Sequence, residues 1–451
     1  MNQKTLYKTI GISLLVFQVV MVVYMLFNRK RSSFATSHKL FVPHYFNETL
    51  SYADKGLAPP KEAFEKMLYL YQQYHQSVLD SYVFSGRNCF SNGVIQGHEK
   101  SPQFVVFKAH MYSGYGNIIM GLFSTLLYAL LSNRVFLVNW NGGEVGCHAS
   151  LSQLLKDPVL KSHSLMWNYA DVKSKSIENG CPRERWESIE RNWLHMESTV
   201  YHDRSKLSYR YFKCSKGFAQ ILPTYLSKEN EKFNQINSKD FIEMEAAQYF
   251  APSLYADNDV YYQLFSKFEK KNMDWELVPQ LYRINIFEKL APFLFKPIDT
   301  IQNKIDEYEK ELFGEKLANP DSTFILGVQI RKNLQENLFH NTPVSIYWDC
   351  AKQRISALDT KKYKKVIIFL TSDYVPAYDE AKHVFSEMKI KGIEISLVHM
   401  PQNVPKSRSV ESVQTALVDL YVMMKADDLI MSEKSTCKFI EIFDNIYKLV
   451  C

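Results

Sequence analysis

The chain has 451 residues, 46% hydrophobic and 14% aromatic. That is enough apolar material for two domain-sized cores, since a single core stops growing near ~250 to 300 residues. Its 54 basic and 48 acidic residues leave a net charge of +6, with no basic patch after residue 31, which excludes a broad nucleic-acid footprint.

Residues 10–27 (IGISLLVFQVVMVVYMLF) form an uncharged apolar run of 18 residues, close to the ~20 that cross a bilayer as a helix. Arg29, Lys30 and Arg31 follow at once, with no small-x-small cleavage site, so the run reads as a membrane anchor rather than a cleaved signal peptide. Lys4 and Lys8 stand on the other side of the span, so the charge rule does not fix the orientation. Asn47-Glu48-Thr49 is a glycosylation sequon usable only if the C-terminal portion is luminal. The expected organisation is a tail at 1–9, an anchor at 10–27 and a polar stem at 28–60. Beyond Pro59 and Pro60, Phe64, Met67, Leu68, Tyr71, Tyr74, Val78, Leu79 and Tyr82 recur at helical spacing and predict a packing helix. Three heptads are too short to specify a coiled coil, which leaves a homodimer open.

Residues 104–108 (FVVFK) predict a strand, Ser113-Gly114-Tyr115-Gly116-Asn117 a glycine-rich loop, the following residues to 131 a helix, and 135–139 (VFLVN) the next strand. Gly121 falls two residues too late for GxGxxG, so a nicotinamide site is not expected. Two readings of the loop stay open: a tight strand-to-helix turn, or backbone N–H groups approaching a phosphate or sugar. Between 150 and 318 the signals mix, and segments around 240–270 and 298–318 read as helical. Asp257-Asn258-Asp259 has the DxD form that holds divalent metal in many glycosyltransferases, but it has no strand-end context, and no metal site is expected.

From residue 323 the pattern is regular. Strands at 324–331, 366–371, 393–399 and 429–432 alternate with helices near 345–358, 377–390, 408–425 and 436–448, which specifies a parallel sheet covered on both faces. Ligands in such folds lie outside the carboxyl ends of the strands, so Arg331, Ser372, Asp373, His399, Ser435 and Thr436 are expected at one crevice. Arg331 offers planar donors suited to a diphosphate, against the alternative of a solvated strand end. Ser435 and Thr436 open the last predicted helix, as anion ligands or as ordinary caps. The seven cysteines (Cys89, Cys147, Cys181, Cys214, Cys350, Cys437, Cys451) show no metal-ligand spacing. In an oxidising compartment some of them would pair.

Four blocks carry a resemblance. GYGNIIMGLFSTLLYALLSNRVFLVNW (114–140), LGVQIR (326–331), TSD (371–373) and TALVDLYVMMKADDLIMSEKSTCKF (415–439) resemble the motifs of plant xyloglucan-type fucosyltransferases. These are grouped with bacterial nodulation, core α-1,6 and protein O-fucosyltransferases. The resemblance implies an α/β, GT-B-like pair of Rossmann-type domains, which the N-terminal transmembrane helix read from the apolar run would precede. The first, at 61–318, would carry helical insertions and the acceptor side; the second, at 319–451, would bind GDP-fucose. Arg331 would grip the pyrophosphate as the catalytic cation, with Ser372 and Asp373 near the guanosine and Ser435 and Thr436 on phosphate oxygens. Thr415 and Asp419 would line the nucleotide site from one helix, and Gly114, Gly116 and Asn117 would face it from the other domain.

The implied reaction is inverting, metal-free transfer of fucose from GDP-fucose to a glycan hydroxyl, α-1,2 to galactose. The implied setting is a Golgi, single-pass type II membrane protein with a luminal catalytic region. Donor and glycan acceptor are the implied partners, with no cofactor. Three positions depart from the family pattern: Ile118 replaces a usual arginine, Gln329 stands where some relatives have histidine, and Cys437 replaces a common aromatic. Ile118 keeps an inactive nucleotide-sugar or glycan-binding relative among the readings, beside a transferase for another nucleotide sugar. His110, Glu144 and His340 are candidates for a catalytic base, and none is singled out.

Overall fold

The computed structural model describes residues 43–54, 60–91, 101–110, 113–142, 147–161, 163–197, 239–246, 285–330, 343–399 and 409–432. Pro43–Cys451 forms one compact unit. The expected anchor at 10–27, Glu144, Asp257 to Asp259, Arg331, His340, Ser435, Thr436 and the helix expected at 436–448 lie outside the described residues.

The unit is built on two four-stranded parallel sheets. A short helix α1 (Asn47–Asp54) and a long helix α2 (Lys61–Val78) precede the first. Its core is the βαβ unit read from sequence: β1 (Phe104–Ala109), α3 (Tyr115–Ser132) and β2 (Val135–Asn139). A hairpin of β3 (Val159–Leu160) and β4 (His163–Ser164), helices α4 (Tyr169–Glu178) and α5 (Arg183–Asn192), and strands β5 (Leu194–Glu197) and β6 (Phe241–Ala246) follow, giving the order β2-β1-β6-β5.

The amino edge of this sheet is sealed by α2. Every apolar residue singled out on that helical face is buried. The Tyr71 hydroxyl donates to Arg134 O and accepts from Phe136 N–H, Tyr74 donates to Asn133 O, and His75 Nε2 lies 2.8 Å from Phe136 O. These side chains satisfy the polar groups of the α3–β2 turn, where Asn133 takes the left-handed conformation. Burial pushes the His75 pKa down to about 4, so the ring is neutral at pH 7. Arg134 is fully buried and donates to Lys239 O and Phe104 O, tying the starts of β1, β2 and β6. The closed edge leaves the carboxyl edge for ligands.

Residues 241–246, expected to be helical, instead form a strand paired with β1 and β5. Glu243 and Glu245 disguise it, because two glutamates in six residues read as solvated helix. The structure brings Lys108 Nζ within 3.6 Å of Glu243 and 3.1 Å of Glu245, so pairing across the sheet overrides local propensity. On the same face Phe104 stacks on Phe241 at 4.4 Å, and Phe90 packs edge-on against Trp186.

Cys89 and Cys181 form a disulfide with a Cα–Cα distance of 5.7 Å and a sequence separation of 92. Cys350 is also disulfide-bonded, whereas Cys147 is a buried free thiol. A bridge closing so long a loop restricts the unfolded chain, and Cys89→Ser is expected to cost about 2 to 5 kcal/mol. Thermal melts under non-reducing conditions would check this, and an unchanged melting temperature would refute it.

Helix α6 (Asn285–Leu294) leads through residues 295–298 to α7 (Asp299–Ala318) and the second sheet. That sheet contains β7 (Thr323–Ile330), α8 (Val344–Ser356), β8 (Lys365–Ser372), α9 (Ala377–Ser386), β9 (Glu394–His399), α10 (Val410–Met423) and β10 (Asp428–Met431). The strand order is β10-β7-β8-β9. Helices α8 and α9 cover one face around Trp348, Ile368 and Phe385. Helix α7 packs on α10 and β7. Among the described residues α3 is the one helix long and apolar enough to cross a membrane, but 83% of that window is buried, and it is the central helix of the first layer.

Candidate functional site

The second sheet has its topological switch between β7 and β10. The chain leaves β7 toward β8 and β9 on one side, then returns to place β10 on the other. A parallel sheet opens a crevice outside the carboxyl ends of two such strands. In sequence Arg331 directly follows β7, and Ser435 and Thr436 come four and five positions after the end of β10; all three lie outside the described residues.

Described residues form the crevice floor. Ser432 N–H donates to Gln329 O at 3.2 Å, and the Ser432 hydroxyl lies 2.9 Å from that of Tyr347 on α8. Gln329 Oε1 is buried with no hydrogen-bond partner. Asp373 N–H donates to Ile330 O at 3.3 Å, which holds the turn after β8 beside the end of β7. Ser372 Oγ accepts from Tyr374 N–H at 2.9 Å. The structure thus gives that hydroxyl a turn-forming role. The end of β9 also meets the helix that follows β8: the rings of Tyr378 and His399 lie 3.9 Å apart.

Helix α10 begins at Ser409, whose side chain forms a capping box with Ser412. Thr415 and Asp419 stand one turn apart and share a face, as their spacing requires. Both are partly buried. The Asp419 Oδ1 atom is sealed from solvent and accepts no hydrogen bond. Burial pushes its carboxyl up to about 7, which no cation among the described residues offsets. An acidic group held near neutrality without a partner is costly to keep, and it marks a position that a donor-rich ligand would relieve.

The glycine loop approaches from the first sheet. Gly114 is the N-cap of α3, and a Cβ there would meet nothing within 4 Å, so its outer side is open space. Gly116 is buried, Asn117 is partly buried, and Ile118 is 1% exposed, part of the core. His110 Nδ1 lies 3.2 Å from Ser113 Oγ just beyond β1. Gly121 answers a different need: a Cβ there would lie 2.8 Å from the carbonyl carbon of Ala246, so the glycine allows α3 to press on the end of β6. It meets the packing demand of the third glycine in a GxGxxG loop at a different spacing.

Sequence reasoning missed Tyr421 and Tyr115. Tyr421 lies two residues beyond Asp419; its hydroxyl donates to Phe295 O at 2.5 Å and is hydrogen-bonded by Tyr115 at the start of α3. The Tyr115 ring lies 6.0 Å from that of Trp140, at the carboxyl end of β2. A phenol two residues after Asp419 in the largely apolar run LVDLYVMM was the available signal.

No protein-family model matches the chain. By sequence it is 23% identical over 350 residues to probable fucosyltransferase 4 of Arabidopsis thaliana, covering 72% of this chain and 58% of that protein. It is 25% identical over 222 residues to fucosyltransferase 2 of the same plant, covering 49% and 35%. The chain therefore spans less than two-thirds of the length of these curated relatives. Among solved structures, a mutant of Arabidopsis thaliana FUT1 in complex with GDP superposes with a TM-score of 0.55 at 18% identity, covering 87% of this chain and 80% of that one. The α/β fold of paired parallel sheets is shared with that structure, and by sequence the chain is similar to plant fucosyltransferases.

Proposed function

We propose that the protein is an inverting glycosyltransferase that moves fucose from GDP-fucose to a glycan hydroxyl. The observation that carries the proposal is Asp419, a partly buried residue on the helix preceding β10 whose Oδ1 atom is sealed from solvent and unpartnered. Guanine presents its N1–H and 2-amino group side by side, and an acceptor-only carboxylate matches both donors. Uracil flanks its single N–H with two carbonyls, which a carboxylate repels. Arg331, Ser435 and Thr436, which follow β7 and β10 in sequence, would hold the diphosphate, and Gly114, Gly116 and Asn117 would bound the site from the first sheet.

In the proposed step the acceptor oxygen attacks C1 of fucose as the C1–O bond to the diphosphate breaks. The bonding pair leaves on GDP and the acceptor proton passes to a base or water. Inversion converts the β-linked donor to an α-fucoside. Negative charge builds on the diphosphate, where a fixed guanidinium stabilises it without a metal. Galactose and an α-1,2 linkage are the acceptor reading, taken from the resemblance. The Cys89–Cys181 bridge supports an oxidising compartment, consistent with a luminal catalytic region in a Golgi type II protein anchored through residues 10–27.

The test is hydrolysis and transfer by residues 32–451 offered GDP-fucose, GDP-mannose and UDP-galactose, with and without EDTA. Turnover of GDP-fucose alone, unaffected by EDTA, is the expected result; turnover of another donor or loss with EDTA would overturn the assignment. GDP binding without turnover would move the protein to an inactive relative. Arg331→Ala is expected to lower transfer at least ~10²-fold while the melting temperature holds, and near-normal activity would remove Arg331 from the diphosphate.

A further inference from the structure

Helix α10 is tied to the first layer along one face. Gln414 Nε2 donates to Gln153 O at 2.9 Å, and two turns later Tyr421 donates to Phe295 O at 2.5 Å. Because the Tyr421 proton is committed to that carbonyl, its oxygen is the acceptor for the Tyr115 hydroxyl. Phe295 opens the segment that crosses between the sheets. This crossing is itself pinned by Lys156 N–H to Lys296 O at 2.8 Å and Ile298 N–H to Leu154 O at 3.1 Å. Gln414 and Tyr421, seven residues apart, share one face of the helix, whereas Thr415 and Asp419 lie roughly 100° or more around it. A helix held at two points on one face cannot rotate, and its other face is aimed accordingly.

We propose that Tyr421 is a positioning residue: the hydroxyl relay from Tyr115 through Tyr421 to Phe295 O fixes the rotation of α10 and so aims Asp419 and Thr415 at the nucleotide. This rests on the reading of Asp419 as the guanine acceptor. The relay also starts at the first residue of α3, beside Gly114, so it couples the glycine loop to the helix that reads the base. Tyr421 touches no substrate in this scheme and acts through Asp419.

The experiment compares GDP with inosine diphosphate, which lacks the 2-amino group, by calorimetric titration. The native protein is expected to prefer GDP by about tenfold, the worth of one hydrogen bond to a charged acceptor. In Tyr421→Phe that preference should fall to about twofold or less, with the melting temperature within a few degrees of native. Tyr115→Phe keeps the bond to Phe295 O and should lie between. Gln414→Ala, at the exposed end of the same face, should reduce the preference in the same direction, which guards against a folding defect peculiar to position 421. A purely structural tyrosine would alter stability and leave base discrimination intact. Full retention of the preference in Tyr421→Phe would overturn the positioning role. A native protein that does not distinguish the two nucleotides would instead overturn the guanine reading, and with it the aim assigned to Tyr421.

Discussion

Asp419→Asn is expected to lower GDP affinity by about 10²-fold, because an amide offers one acceptor where guanine needs two and turns a donor toward the 2-amino group. The pH profile provides the sharper signature. In the free protein burial holds the carboxyl pKa at about 7, and the ionised form is the one that accepts both guanine N–H groups. Below that pH, binding releases a proton, so GDP affinity should rise as pH increases from 5 toward 7, by at most ~10-fold per unit, and flatten above it. The asparagine variant should bind weakly and without this slope.

Stability should move the other way. The folded pKa is raised, so the unfolded chain gives up its proton first, and Asp419 costs the fold progressively more as pH climbs from near 4 through 7. Asparagine carries no such proton. The variant should therefore melt above the native protein at pH 8, with the gap shrinking at pH 5. A GDP affinity that ignores both the substitution and the pH would end the guanine assignment. This opposition is what a site kept for binding rather than stability produces.

What the sequence makes legible follows from where the periodicity is undisturbed. The second sheet is apolar strand against amphipathic helix throughout, and each of its expected strands and helices within the described residues appears within a few residues of its predicted bounds. The α2 face and the β1–α3–β2 unit were equally readable. The first layer resists beyond β2 because β6 carries Glu243 and Glu245, whose partner Lys108 lies more than a hundred positions earlier; no local window contains that pair. At the site, Thr415 and Asp419 were visible as polar residues one turn apart in an apolar helix. Tyr421 was not, since its role depends on Phe295 O and Tyr115, groups supplied by two other parts of the chain. Ser372 shows the reverse: a hydroxyl at a strand end suggests a ligand, yet the backbone of Tyr374 already engages it.

Gly121 within α3 and Gly114 at its N-cap should separate packing from chemistry. At Gly121 a Cβ would lie 2.8 Å from the carbonyl carbon of Ala246 and closer still to its oxygen, and those atoms belong to a central strand that cannot yield. Gly121→Ala gains about 1 kcal/mol of helix propensity. It must also lift α3 off β6, a strain of about 3 kcal/mol or more for overpacking against backbone. A net loss of stability is expected, read as a melting temperature several degrees lower. The shift would carry Tyr115 away from Tyr421, so nucleotide affinity should fall as well. Gly114 is the opposite case. Its φ of −74 suits any residue and a methyl there meets nothing within 4 Å, so Gly114→Ala should fold almost as the native chain does, within ~1 kcal/mol at a helix N-cap. If the open space beside it receives the sugar or diphosphate, the same methyl should depress transfer at least ~10-fold through the KM of one substrate. Equal melting temperatures for the two variants would contradict the close approach of α3 to β6. Full activity in a well-folded Gly114→Ala would move the substrate away from the glycine loop.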